Sequence, residues 1–274
     1  MPIISPPLQI IEHIFIFLAG ISLGSFLNVV VYRLPRGLSL VTPRSHCPNC
    51  KTTIRGYDNI PLASYLWLGG TCRRCGFPIS CRYFFLELAT GLLLLAFYHF
   101  RYPFAIYAAI FGSPFNTAAF ASWLTGAAFL AVLLVIAVID IQLYLIPDIL
   151  SIGGTFLCLA AGPLTGRTTF GDSLLAAAIG FGFYYGLWLL TAKRGVGLGD
   201  AKLMAMIGAF LGTRALLPVV FIASFTGSVI GIGLMVFTDK TRKSPVPFGP
   251  FLALGAAAYL FFQKPVSNLF ALFF

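Results

Sequence analysis

Eight apolar stretches, near residues 9–31, 84–100, 118–139, 147–162, 173–191, 201–212, 216–237 and 249–263, leave little sequence from which to build a water-facing surface. A helix that crosses a bilayer needs roughly 20 predominantly apolar residues. Several stretches meet that length, and others fall short of it. Only 9% of the chain is charged and 59% is hydrophobic, whereas soluble domains carry about a quarter charged residues. The expectation is an all-α polytopic membrane protein of about eight transmembrane helices embedded in the lipid bilayer. Two pieces are weaker: 104–111 is short, and 146–162 is interrupted by Pro147 and Gly153–Gly154, so either is a candidate re-entrant segment. The run Ile10 to Val31 lacks a basic leader and a small-residue cleavage site, and reads as the first span rather than a signal peptide.

A net charge of +10 does not make this a nucleic-acid protein, because the Lys and Arg sit in loops between apolar runs rather than on one soluble face. They report orientation instead. With the polar stretch 33–83 in the cytoplasm, the inner loops hold Arg33, Arg36, Arg44, Lys51, Arg55, Arg73, Arg74, Arg82, Lys193, Arg194, Lys202, Lys240, Arg242 and Lys243. The outer loops hold only Arg101, Arg167, Arg214 and Lys264. That asymmetry is the positive-inside pattern. The domains expected are a first transmembrane segment (1–32), a cytoplasmic module (33–83) and a larger transmembrane part (84–274). Nothing in the sequence sets an oligomeric state.

Within 33–83, Cys47-Pro-Asn-Cys50 and Cys72-Arg-Arg-Cys75 form two CxxC knuckles separated by 21 residues. Two thiolates at this spacing on a tight turn span one edge of a tetrahedron, so a zinc-ribbon-like site of Cys47, Cys50, Cys72 and Cys75 is expected between the first two spans. A loop of about 50 residues cannot bury enough apolar surface to be stable alone, which gives a structural Zn²⁺ a physical role. A disulfide or redox pair is the alternative, and a cytoplasmic location disfavours it. Cys81 and Cys158 fall outside the spacing and read as free thiols.

Eight carboxylates permit elimination: Glu12, Asp58, Glu87, Asp140, Asp148, Asp172, Asp200 and Asp239. Glu12 and Asp172 lie at outer span ends, Asp58 lies in the module and Asp239 sits in a basic loop, so surface roles are expected for these. Glu87 is one turn inside the second span, where an ionisable group is costly. Asp140 ends the third span, Asp148 follows Pro147, and Asp200 closes the turn Gly195-Val-Gly197-Leu-Gly199-Asp200 before Ala-Lys202. All three fall at one membrane boundary. Two carboxylates brought close cannot both ionise, so the pair can activate water as base and acid together. Glycines before Asp200 allow close approach of an extended chain. Helix capping is the plain alternative for Asp148 and Asp200. Asp140 has the weakest structural excuse, because a helix C-terminus disfavours an anion. Proton or cation transport by the same aspartates is the competing function.

The order of motifs resembles the type IV prepilin peptidases, or prepilin leader peptidase/N-methyltransferases. The matching residues are Gly24-Ser-Phe-Leu-Asn28-Val-Val-Val-Tyr-Arg-Leu-Pro35, both knuckles, Tyr57-Asp-Asn-Ile-Pro61, Arg82-Tyr83 with Glu87, Asp140 with Pro147-Asp148, Gly197-Leu-Gly199-Asp200-Ala-Lys202-Leu and Pro247-Phe-Gly-Pro250. The resemblance implies a bacterial inner-membrane GxGD-type aspartic protease of pilus or type II secretion systems. Such an enzyme removes the basic leader of prepilins or pseudopilins after a glycine. It then methylates the new N-terminus, usually Phe, from S-adenosylmethionine. Carried over, Asp140 and Asp200 are the catalytic pair, with Asp148, Gly197, Gly199 and Lys202 as supporting residues. The methylation site is not carried by a motif; Asn28, Arg33, Asp58 and Asn59 are its candidates. Asp58 and Glu87 are also candidates for attracting the basic leader.

Overall fold

The computed structural model describes residues 6–101, 117–191, 197–237 and 246–263. The segment 104–111, Gly195, Asp239 and the loop cations Lys193, Arg194, Lys240, Arg242, Lys243 and Lys264 lie outside them. Among the described residues there are no strands, only isolated bridges, and the helices are α1 (Pro6–Arg33), α2 (Ala63–Trp67), α3 (Arg82–Arg101), α4 (Thr117–Leu143), α5 (Asp148–Leu164), α6 (Phe170–Leu190), α7 (Leu198–Leu211), α8 (Thr213–Phe237) and α9 (Gly249–Phe261). Every one of the eight apolar stretches is therefore a helix.

Five of these helices (α1, α3, α4, α6 and α8) are long and apolar enough to cross a membrane. The expectation of about eight spans is thereby corrected in number. At 1.5 Å per residue, the 17, 14 and 13 residues of α5, α7 and α9 reach about 25, 21 and 20 Å, short of a hydrocarbon core of about 30 Å. Helix α7 shows why a short apolar helix is tolerated: Leu203, Met204, Met206, Ile207, Ala209 and Phe210 are all essentially inaccessible, so protein rather than lipid surrounds it.

The chain divides into two compact units, residues 1–123 and 124–274. In the first, α1 and α3 run antiparallel at very close range. A Cβ added at Gly20 would lie 2.8 Å from the Gly91 Cα, and one at Gly24 would lie 2.7 Å from the Glu87 Cα. In lipid there is little hydrophobic drive between helices, so small residues four apart that let backbones touch are the natural adhesive. The same register brings the Asn28 amide to the carbonyl of Tyr83 at 3.1 Å and His13 to His99 at 3.1 Å. Glu12, expected at the surface, is 7% exposed, because it lies more than a turn inside α1.

In the second unit, α6 and α7 repeat this device. Gly180 abuts the Met204 carbonyl and Gly208 the Ala176 carbonyl. Phe129 of α4 stacks on Phe210 of α7 with centroids 4.2 Å apart. Asp172, expected to have only a surface role, accepts from the Thr213 hydroxyl at 2.6 Å and the Thr213 amide at 3.3 Å, fastening the start of α8.

Candidate active site and metal centre

The residues between α1 and α3 form two knuckles of the same design. Each is closed by its first cysteine: the Cys47 amide donates to Thr52 and its carbonyl accepts from Lys51, while the Cys72 amide donates to Phe77 and its carbonyl accepts from Gly76. Each is flanked by one bridge, His46 with Thr53 and Thr71 with Pro78. The residue after the second cysteine has positive φ in both, 57° at Lys51 and 66° at Gly76. Glycine adopts that conformation without strain; lysine adopts it at a cost.

Facing each other, the knuckles bring Cys47 Sγ to 3.7 Å from Cys75 Sγ and Cys50 Sγ to 4.0 Å from Cys72 Sγ, with all four sulfurs within 4.8 Å of one another. A tetrahedral ion with metal–sulfur bonds of about 2.3 Å has sulfur–sulfur edges of about 3.8 Å. The donor set and its geometry therefore fit such an ion. The Cys50 thiol is pulled down to about 6, first by the Thr52 hydroxyl, and Cys72 is lowered by the amides of Cys75 and Arg74. A thiolate, the form that binds metal, is thus favoured at one cysteine of each knuckle, whereas Cys47 is shifted upward. Cys81 is exposed and Cys158 buried, both outside the cluster.

The acidic residues of the first unit are occupied. Asp58 is held by Arg73 in a bidentate pair, with contacts of 2.6 to 3.0 Å. Glu87 is 8% exposed and accepts from the Leu62 amide at 2.8 Å, where Leu62 has φ of +60°. Glu87 thereby pins the α2 end of the module to α3. The charge of Asp58 is thus taken up by Arg73, whereas Glu87 is held by a neutral amide.

Asp140 and Asp200 belong to the second unit, and both are buried, 5% and 7% exposed. Asp140, three residues from the C-terminus of α4, accepts the Gly249 amide at 3.0 Å, the first residue of α9. The positive end of α9 thus compensates the unfavourable end of α4. Asp200 occupies the third position of α7 and accepts from the Gly197 amide at 3.0 Å. The capping role weighed for Asp200 is therefore real, but it takes only one carboxylate oxygen. In each aspartate the other oxygen has no protein partner among the described residues, and the two groups lie close enough to feel each other's charge.

Beside the glycines that flank them lies a residue that sequence reasoning missed. Ile146, 6% exposed, sits between the two glycine turns: a Cβ at Gly199 would lie 3.1 Å from its Cβ, and one at Gly249 would lie 3.2 Å from its Cδ1. A Cβ at Gly249 would also lie 2.7 Å from Asp140 Oδ2. The signal for Gly249 was in the Pro247-Phe-Gly-Pro250 motif, while Ile146 carries none. Buried Tyr184, in electrostatic reach of Asp200 and packed against Phe248, was likewise missed. Asp148 does not join the pair: 62% exposed at its side chain, it meets Lys202 at 2.7 Å.

Comparison with known proteins agrees with this arrangement. Residues 18–100 match the bacterial peptidase A24 N-terminal domain, and residues 127–232 match the type IV leader peptidase family. The chain is 36% identical over 269 residues to a prepilin leader peptidase/N-methyltransferase of Aeromonas hydrophila, covering 87% of each chain. It is 33% identical over 289 residues to one from Pseudomonas aeruginosa, covering 93% of this chain and 92% of that one. The chain belongs to the prepilin leader peptidase/N-methyltransferase family. No solved structure matches it. Family membership gives no support to the transporter alternative.

Proposed function

We propose that this protein is a bifunctional enzyme of the bacterial inner membrane that cleaves the basic leader from prepilins or pseudopilins and methylates the new N-terminus. The observation that carries the peptidase reading is the buried pair Asp140 and Asp200. Each aspartate is steadied by one glycine amide, each has a second oxygen without a protein partner among the described residues, and the two feel each other's charge. One carboxylate, ionised, takes a proton from water as that water attacks the scissile carbonyl; the other, protonated, donates to the carbonyl oxygen. Gly197 and Gly199 let the chain pass close to the Asp200 carboxylate and to Ile146. Lys202, paired with Asp148, holds the start of α7 against α5 rather than taking part in proton transfer.

Cys47, Cys50, Cys72 and Cys75 are suited to hold a structural Zn²⁺ that makes the 33–83 module fold. S-adenosylmethionine supplies an electrophilic methyl group for the second reaction. With the module and the aspartates toward the cytoplasm, a prepilin inserts by its apolar helix and leaves its basic leader inside, at the level of the pair. The division of labour follows the sequence: a first span (1–32), the metal module (33–83) and the peptidase part (84–274).

The test is cleavage of a prepilin in membranes by the unaltered protein, Asp140→Asn and Asp200→Asn, with the product's N-terminal mass read by spectrometry. Loss of cleavage in both variants is expected. Cleavage surviving in either one sinks the two-aspartate assignment.

A further inference from the structure

Between Asp58 and Arg73 the module changes character. Residues 59–71, Asn-Ile-Pro-Leu-Ala-Ser-Tyr-Leu-Trp-Leu-Gly-Gly-Thr, carry no charge, whereas the stretch before them holds Arg33, Arg36, Arg44, Lys51, Arg55 and Asp58. Helix α2 lies at the centre of this uncharged run, and its two bulkiest apolar side chains face outward: Leu66 is 66% exposed and Trp67 53%.

The level at which α2 sits is set by α3. At 1.5 Å per residue the 20 residues of α3 reach about 30 Å, the thickness of the hydrocarbon core, so Arg82 and Arg101 mark its two boundaries and none of its length is spare. Glu87 is the sixth residue of α3, about 7 Å along the axis from Arg82. The Leu62 amide reaches the Glu87 carboxylate at 2.8 Å, and the Tyr65 ring packs on Phe84 with centroids 5.6 Å apart. The start of α2 is therefore held beside the first two turns of α3, on the lipid side of Arg82 rather than the water side. Phe85, on the same turns of α3, is 60% exposed, so apolar surface is open on both elements at one level.

Lipid admits irregular backbone only where its polar groups are satisfied by the protein itself. In this run the Leu62 amide goes to Glu87, and the amides of 63, 64, 66 and 68–71 each donate to a carbonyl between Ile60 and Leu68. The hydroxyls of Ser64 and Thr71 close on the carbonyls of Ile60 at 2.7 Å and Leu68 at 2.9 Å, and the Tyr65 hydroxyl donates to the Ile79 carbonyl at 3.3 Å. A water-facing loop has no need of such closure. The first charged side chains on either side, Asp58 and Arg73, are paired with each other at 2.6 Å, which lowers the cost of holding them near lipid.

We propose that residues 60–68 are a membrane-interface anchor, in which α2 lies at the boundary between lipid headgroups and acyl chains with Leu66 and Trp67 in contact with lipid. Tyr and Trp suit that level, since each has an apolar body and one polar edge. The metal module is then not a loop surrounded by water on all sides. It is fastened to the bilayer at a third point besides the ends of α1 and α3, and this holds whichever reaction the protein catalyses.

The experiment uses full-length protein in phosphatidylcholine and phosphatidylglycerol vesicles. Trp123→Phe with Trp188→Phe leaves Trp67 as the sole tryptophan. Its emission is expected to fall when the acyl chains carry bromine, more for bromine placed near the headgroups than near the chain ends, and to resist iodide added to the water. Quenching by iodide but not by bromolipid shows a water-facing α2 and overturns the proposal. Resistance to both shows that protein covers Trp67, from a second copy or a partner helix, and overturns it equally.

The unaltered protein gives a second readout that needs no substitution. In vesicles doped with a phospholipid bearing a diazirine on its acyl chain, illumination should attach lipid to the tryptic peptide 56–73 and leave 45–51, from the first knuckle, unlabelled. Labelling confined to peptides of the spanning helices overturns the anchor even if the single-tryptophan variant does not fold.

Discussion

The cysteine module and the aspartate pair are both built from short turns that present two like groups to each other, yet they are stabilised by opposite means. In the module almost every side chain is at least partly exposed, and the loop before the knuckles, the knuckles and α2 contribute only one buried apolar residue near the metal position, Cys47 itself. Its order has to come from four converging sulfurs and the turns behind them. Around the aspartates, Ile136, Ile139, Ile146, Ala201, Leu203 and Leu252 are buried, and the turns are fixed by packing with one amide to each carboxylate. A site made by a ligand can be emptied; a site made by packing can only be deformed. The two halves should therefore fail differently.

The largest effect is expected at the aspartates, where Asp140→Asn or Asp200→Asn should lower cleavage on the order of 10⁴-fold or more while the variants remain folded by circular dichroism. Chelating any metal held by the four cysteines, or Cys72→Ser, should instead melt residues 44–81 locally, so that trypsin cuts faster at Arg73 and Arg74 while the helical signal of the spans persists. If proteolysis there is unchanged after measured metal loss, the contrast between the two halves is wrong. Next in size, Gly249→Ala should displace the Asp140 carboxylate by a fraction of an ångström to 1 Å and cost about 10²-fold in kcat with little change in KM. Smallest of all, Asp148→Asn or Lys202→Ala should cost about 0–1 kcal/mol in stability and leave kcat within a few-fold, because the carboxylate of the pair is 62% exposed. A large loss of kcat there would return Asp148 to the reacting centre.

Much of this was legible in the sequence because lipid simplifies the code. Eight of the nine α-helices among the described residues follow from apolar runs, and the four cysteines follow from spacing alone. The number of true spans did not, because α7 is as apolar as a spanning helix and reveals only in three dimensions that its surroundings are protein. Asp140 was identifiable as a charge at the wrong end of a helix, but its compensation by the start of α9 depends on contact across 109 residues. The Arg73 partner of Asp58 and the Leu62 amide that meets Glu87 are invisible until the fold supplies them. Arg33 is the reverse case: among eight cations of the 33–83 stretch, only burial distinguishes it from its exposed neighbours.

Ile146 gives the aspartate site an adjustable dimension. A side chain at Gly199 presses on it and one at Gly249 displaces the Asp140 carboxylate, so growth at either position moves a neighbour. The one wall between them that can change is the isoleucine, and it can change only by shrinking. Ile146→Val and then Ile146→Ala therefore loosen the packing between the two glycines, whereas enlarging either glycine tightens it.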